Sequence, residues 1–390
     1  MELSQRMSRL GTETAFQVLA KAQALEAKGK DIIHLEIGEP DFDTPQHIRD
    51  AATKALNKGY THYCNSQGIV PLRQEIAKVT EKTRGVKIDP DRVVVTPGAK
   101  PIMFYIMMAL LEEGDEAIFP SPLYPIYESM INFSGAKAVP VRLHEELGFR
   151  FDLDELKARL TPRTKLIILN SPQNPTGSVL EEADIRGIAE IVCDRDIYVF
   201  SDEVYEHILY EGKHISIASL PGMLDKTILL NGFSKTYAMT GWRLGYAILP
   251  PKLIEPVVRL ITNSVSCTAP FLQHAGIEAL TGPQESVPVM VAEFKKRRDL
   301  IVDGLNQIPG ISCVRPKGAF YVFPNVKKVG IDCRQFADYL LYEAGVAILP
   351  GTHFGEYGEG YIRLSYANSQ ENIKKALDRI REAVAKLNKK

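Results

Sequence analysis

Residues 226–246 read KTILLNGFSKTYAMTGWRLGY. The run Thr227–Leu230 shows no alternation of apolar and polar residues. Strands covered by helices on both faces read this way. The character changes at once after Asn231: Lys235 stands between two hydroxyl residues, and Trp242, Arg243 and two glycines follow. A lysine at a buried strand end is either a solvated loop residue or an amine held for covalent chemistry. Burial or a nearby cation lowers the pKa of such an amine and suits it to attack an aldehyde.

Working outward, similar short runs occur at RVVVT (92–96), EAIFP (116–120), KLIILN (165–170), IYVFSDE (197–203) and LGYAIL (244–249). Helical patterns such as PLRQEIAKVTEKTRG and EEADIRGIAEIVCDRD lie between them, and the ten-residue apolar run Ile102 to Leu111 reads as a buried helix. Strands alternating with helices predict an α/β domain with a mainly parallel sheet. The last hundred or so residues differ. A long charged helix near VPVMVAEFKKRRDLIVDGLNQ precedes expected strands at ISCVRP, GAFYVFP, VAILPG and YIRLSYA, with helices near CRQFADYLLYEAG and at the C-terminus. This predicts a smaller α+β domain of residues 291–390 together with 1–44, beside a large domain of 45–290.

The 390 residues are 45% hydrophobic and 24% charged, with a net charge of -1. A large core is expected, and nothing in the charge calls for nucleic acid or an anionic membrane as partner. The five cysteines are scattered, without a C-x-x-C pair, which argues against a zinc site or disulfide framework and for a reducing cytoplasm. No metal is expected. No signal peptide or bilayer-length apolar run is read, and the Lys-rich KLNKK end reads as a solvated helix terminus.

Ligands in open α/β sheets gather at strand ends. VVVTPGAK brings Gly98, Ala99 and Lys100 to a helix start, where backbone N–H groups hold phosphate or simply make a turn. LIILNSPQNPTG carries Asn170 and Asn174 in good turn chemistry, and YVFSDEVY ends an apolar strand in Asp202 and Glu203, with Tyr205 close by. A phosphate turn, a buried acid, a tyrosine and a lysine form a set when the aldehyde is pyridoxal 5'-phosphate, whose pyridinium accepts electrons from the substrate Cα.

These motifs occur in order with IGEPDF, YTHY, GIVPLR, PSPLYPIYE, KGAFYVFP and YIRLSYA. The chain thus resembles class I/II aminotransferases of pyridoxal-phosphate fold type I, in the aspartate/aromatic aminotransferase-like subgroup, over nearly its whole length. The resemblance implies a large domain with a mainly parallel seven-stranded sheet between helices. It implies that Lys235 is the Schiff-base lysine and Cα proton shuttle, Asp202 the partner of the pyridine nitrogen, and Tyr205 and Asn174 donors to the cofactor's O3'. Tyr124 matches the stacking aromatic; Gly98, Ala99, Lys100, Ser234 and Arg243 fall at the phosphate; Arg363 matches the fork for the substrate α-carboxylate, with Gly38 and Asn174 beside it. Gly232 replaces a serine common in relatives. Tyr63 matches a tyrosine that reaches the phosphate of a neighbouring subunit, so a homodimer is implied. Cys64, next to it, reads as packing.

The expected reaction is a two-stage transfer of the amino group of an L-amino acid to 2-oxoglutarate. Aspartate is the first expected donor, with aromatic residues or alanine as alternatives. No second arginine is placed by motif for a distal carboxylate: TNSVSCTAPFLQH (262–274) holds no cation but His274. An apolar or aromatic wall is instead expected from ETAFQVLA and Tyr124, and with it broad donor use. Two other readings stay open: a C–S β-lyase on the same scaffold, and a non-catalytic aminotransferase-like sensor.

Overall fold

The six apolar runs assemble into one sheet in a computed structural model that describes residues 3–387. In spatial order its strands are Val93–Thr96, Gly245–Ile248, Thr227–Gly232, Tyr198–Asp202, Thr164–Asn170, Glu116–Ser121, Lys137–His144 and Arg150–Phe151. Six run in one direction; Gly245–Ile248 and Arg150–Phe151 run against them. The sheet therefore has eight strands where seven were expected. The two not read from the sequence, Lys137–His144 and Arg150–Phe151, form its outer edge. Pro140 obscures the first of these. It is tolerated because only Leu143 and His144 have a partner on that strand's outer side.

Both faces of the sheet are covered, which explains the missing alternation. Leu166 and Ile168 pack with Phe200, Leu230 and the helices Lys100–Leu110 and Pro251–Val265. Their neighbours Ile167 and Leu169 point the other way, onto Ile185, Ile188 and Val192 of the helix Glu182–Val192. At the other end of the sheet, Val93, Val95, Leu229 and Ile248 meet the helices Val70–Arg84 and Pro270–Thr281.

The C-terminal part is less regular than expected. GAFYVFP forms a strand only at Tyr321–Val322, and VAILPG splits into Val346–Ala347 and Leu349–Pro350. ISCVRP makes a single bridge, Ser312 with Asn325. Prolines and glycines at Pro309, Gly310, Pro316 and Pro324 limit ladder formation there. Ile362–Ser365 lies between Tyr321–Val322 and Leu349–Pro350 as the middle strand of a three-stranded antiparallel sheet. The N-terminal strand Ile33–His34 pairs in parallel with Val346–Ala347, which ties the start of the chain to its end. The long helix Ser286–Asn306 packs with Gln370–Leu387. The tail read as a solvated helix end finishes outside the described residues. No described helix is long and apolar enough to cross a membrane.

Behind the end of strand Tyr198–Asp202, Arg84 reaches two buried carboxylates, Glu203 at 2.6 Å and Glu206. Glu203 also accepts from Ser201 at 2.9 Å and Ser216 at 2.6 Å. The cations and hydroxyls around it outweigh its burial and hold it ionised, well below the usual carboxylate range. Breaking a buried pair is costly because the survivors lose a partner out of reach of water: without Arg84, Glu203 keeps only His214 at 2.9 Å and the two hydroxyls, with Glu206 close by. Arg84→Met should therefore cost about 3–5 kcal/mol of stability. Glu182→Gln, which breaks an exposed pair with Arg186, should cost far less. Chemical denaturation of both variants checks this, and equal losses would contradict it.

Candidate active site

Parallel strands of similar length bring their C-terminal ends to one edge, and the polar residues converge there. Asn170 and Asp202 are register partners on adjacent strands. Asp202 is 4% exposed. It accepts from the Tyr127 hydroxyl at 2.7 Å and from the Val204 N–H at 3.3 Å. Burial nevertheless pushes its carboxyl up to about 6. One strand further on, Gly232 passes directly into the single helical turn Phe233–Thr236, which carries Lys235. Its Nζ donates to the Gly38 carbonyl at 2.5 Å and lies 5.9 Å from the Tyr205 ring centroid and 5.6 Å from that of Phe320. Burial lowers this amine to about 8; Glu39 and Glu13 oppose the shift, while Arg363 and Arg243 add to it.

Arg363 arrives from the small antiparallel sheet and is 3% exposed. Its guanidinium lies 4.7 Å from the Tyr321 ring centroid and 5.0 Å from that of Phe354. One Nη donates to the Asn174 side-chain oxygen at 3.2 Å and the other to the Glu36 carbonyl. Its Nε is buried without a partner among the described residues. The Tyr205 and Tyr321 hydroxyls are 2.8 Å apart. Burial holds both phenols above their ordinary range, so they remain O–H groups.

At the edge of the sheet, Val93–Thr96 leads into a turn and the helix Lys100–Leu110. Gly98 has φ +90°, and a Cβ there would run into the Arg243 guanidinium. The positive φ is what calls for glycine here, and the missing side chain lets the guanidinium lie directly on the turn. Arg243 is fixed in turn by donation to the Thr240 carbonyl at 2.8 Å. The Lys100 side chain points into the cavity, where its Nζ meets Glu13 at 2.5 Å. Tyr124 donates to the same Glu13 oxygen at 2.9 Å.

One cavity of about 760 Å³ is lined by Gly38, Ala99, Lys100, Tyr124, Asn174, Asp202, Tyr205, Ser234, Lys235, Arg243 and Arg363. Gly98 lies beneath Arg243 at its rim. Tyr63 is 88% exposed and lines no part of this wall. The helix Ala15–Glu26 adds Ala15, Phe16 and Leu19, the apolar wall expected from ETAFQVLA. The sequence reading missed Glu13, Glu39, His34, Tyr127 and Tyr321. Glu13, Glu39 and Tyr321 lie inside quoted motifs, and Tyr127 is three residues after Tyr124; only their side-chain direction was hidden. The reading also treated Lys100 as a backbone donor, whereas its amine enters the cavity. Cys64 is not activated: burial, followed by its neighbour Cys267, pushes its thiol up to about 11.

The family "Aminotransferase class I and II" matches residues 30–380. An aspartate aminotransferase from Pyrococcus abyssi is 44% identical over 359 residues, covering 91% of this chain and 92% of that one. Aromatic-amino-acid aminotransferase 2 from Thermococcus litoralis is 40% identical and covers 98% of both. The structure of the Thermus thermophilus aspartate aminotransferase with maleate superposes with a TM-score of 0.94 at 39% identity, over 98% of this chain and 100% of that one. The chain belongs to the class I and II aminotransferases: it is a pyridoxal-phosphate-dependent transferase of fold type I.

Proposed function

We propose that this protein moves the amino group of an L-amino acid to 2-oxoglutarate in two stages, at the strand-end cavity, with Lys235 as its central residue. The observation that carries the reading is the convergence of a desolvated amine, a buried carboxylate and a buried arginine with an unpartnered Nε on one cavity.

The residues fit a phosphorylated pyridine aldehyde. The Gly98 turn, with the Arg243 guanidinium directly against it and Ala99 and Ser234 lining the cavity beside it, gathers a cation and a helix start that suit a phosphate. Asp202, a buried acid at the end of an apolar strand, suits a cationic ring nitrogen, which would restore its ionisation. Tyr205 and Asn174 are the donors for the ring oxygen, and Tyr124 is the aromatic face. When bound, the group supplies an electrophilic carbon and an electron sink.

Lys235, with its amine lowered to about 8, is partly unprotonated near neutral pH. It can bond an aldehyde and, once released, take the proton from the substrate Cα. Arg363 holds the substrate α-carboxylate as a fork, with the Tyr321 and Phe354 rings packed near its guanidinium. Gly38 keeps the backbone close on the same side, where a Cβ would overlap the Tyr321 hydroxyl. We further read residues 45–290 as the large domain and 1–44 with 291–390 as the small one. Ile33 and Leu35 share one apolar cluster with the C-terminal helices, which supports joining the N-terminal segment to residues 291–390; Phe323, Leu349, Phe354 and Tyr361 pack instead with the large sheet, at the contact between the two parts.

The relatives' names span aspartate and aromatic amino acids, and maleate, a four-carbon dicarboxylate, is bound by one of them. We therefore place aspartate first among donors, with aromatic residues and alanine behind it, in a broad enzyme. A screen of all standard amino acids, with 2-oxoglutarate or pyruvate as acceptor, tests the reading. Consumption of several donors dependent on 2-oxoglutarate is expected. Pyruvate and ammonia released from cysteine-type donors without any acceptor would favour elimination instead.

The exposed Tyr63 is explained if it serves a neighbour's phosphate, so the smallest active species should be a homodimer. Sedimentation at assay concentration checks this, and a fully active monomer would rule it out. Tyr63→Phe should weaken cofactor retention in the dimer without dissociating it.

A further inference from the structure

Glu13 sits two residues before the helix Ala15–Glu26 and lines the cavity. One of its oxygens accepts from both Lys100 Nζ, at 2.5 Å, and the Tyr124 hydroxyl, at 2.9 Å. Burial and the nearby Glu13 charge keep Tyr124 a phenol, and so a donor, far above its ordinary range. The two charged partners are only partly shielded, with side chains 41% and 21% exposed for Lys100 and Glu13. Their pairing is therefore open to exchange with a bound carboxylate.

The other cations in the wall are engaged. Arg363 and Lys235 serve the α-carboxylate and the Cα, and Arg243 lies over the phosphate turn. His34 is held between Glu36, at 2.7 Å, and Glu26, at 3.1 Å. Lys100 is the wall cation left for a substrate side chain, and Glu13 already occupies it. An apolar side chain beside an unpaired ammonium would leave that charge uncompensated. With Glu13 in place the charge is answered. A substrate carboxylate, by contrast, has to displace Glu13 to reach Lys100, and repels it in doing so.

Building on the functional reading above, we propose that Glu13 is a specificity-determining residue. It stands in for a substrate carboxylate on Lys100 whenever the bound side chain has none, and so sets how the site divides between acidic and uncharged amino acids. This accounts for one cavity serving an acidic oxo acid in one stage and an uncharged donor in the other. The exchange is of ionic partners only; no bond is made or broken.

Two readouts on the wild-type and Glu13→Gln holoenzymes test the assignment. The first is the ratio of kcat/KM for aspartate to that for phenylalanine. The second is calorimetric binding of two non-reacting acids, succinate and 3-phenylpropionate. Removing the competing charge should shift both ratios toward the dicarboxylate by about tenfold, the scale of one displaced charge contact. The additional change Lys100→Met should abolish the gain. A shift of less than about threefold in both readouts, or a gain that survives Lys100→Met, would overturn the proposal. A wild-type enzyme that transaminates no donor would sink the functional reading instead, and the succinate comparison would still report on Glu13.

Discussion

A carboxylate buried at the end of an apolar strand is unstable alone, and the arrangement around Asp202 follows from that constraint. Two donors, the Tyr127 hydroxyl and the Val204 N–H, reach it, yet burial still holds its pKa near 6. It is under-compensated by the protein, and so poised for a cation. The next residue, Glu203, has the opposite environment: against the cost of burial, His214 at 2.9 Å, Arg84 and two serine hydroxyls keep it ionised. Neighbouring acids on one strand end thus do different work. Glu203 ties together the side chains of Arg84, Ser201 and Ser216, and Asp202 presents a charge requirement to the cavity.

The second constraint is that no single part of the chain closes the site. The large sheet supplies Asp202, Asn174 and Lys235, and the small antiparallel sheet supplies Arg363. The N-terminal segment joins them. The Gly38 carbonyl accepts from Lys235, and the Glu36 carbonyl accepts from Arg363. The strand Ile33–His34 is in turn paired to Val346–Ala347. The N-terminal segment thus touches both Lys235 and Arg363 while it is paired to the C-terminal part.

Much of this was legible because the chemistry is local in sequence. Strand ends carry their polar residues a few positions after an apolar run, so Asp202, Asn174 and Lys235 can be read in one dimension. The strand Lys137–His144 was hidden by Pro140, whose tolerance depends on which neighbour is missing. The short C-terminal strands were over-read because apolar runs bounded by proline look like strands whether or not a ladder forms. Glu13 escaped for a different reason. Its partner Lys100 is 87 positions away, and no periodicity or spacing links an N-terminal acid to a lysine opening a distant helix. Lys100 itself was seen as part of a turn, since sequence reports the backbone of a phosphate loop better than the direction of its side chains.

The central claim is that Lys235 is the amine that holds the cofactor, and chemical trapping tests it most directly. The purified protein, reduced with borohydride and digested, should yield one cofactor-labelled peptide, containing Lys235 within NGFSKTYAMTGWR. Label on Lys100, which also faces the cavity, or on any other lysine would contradict the account.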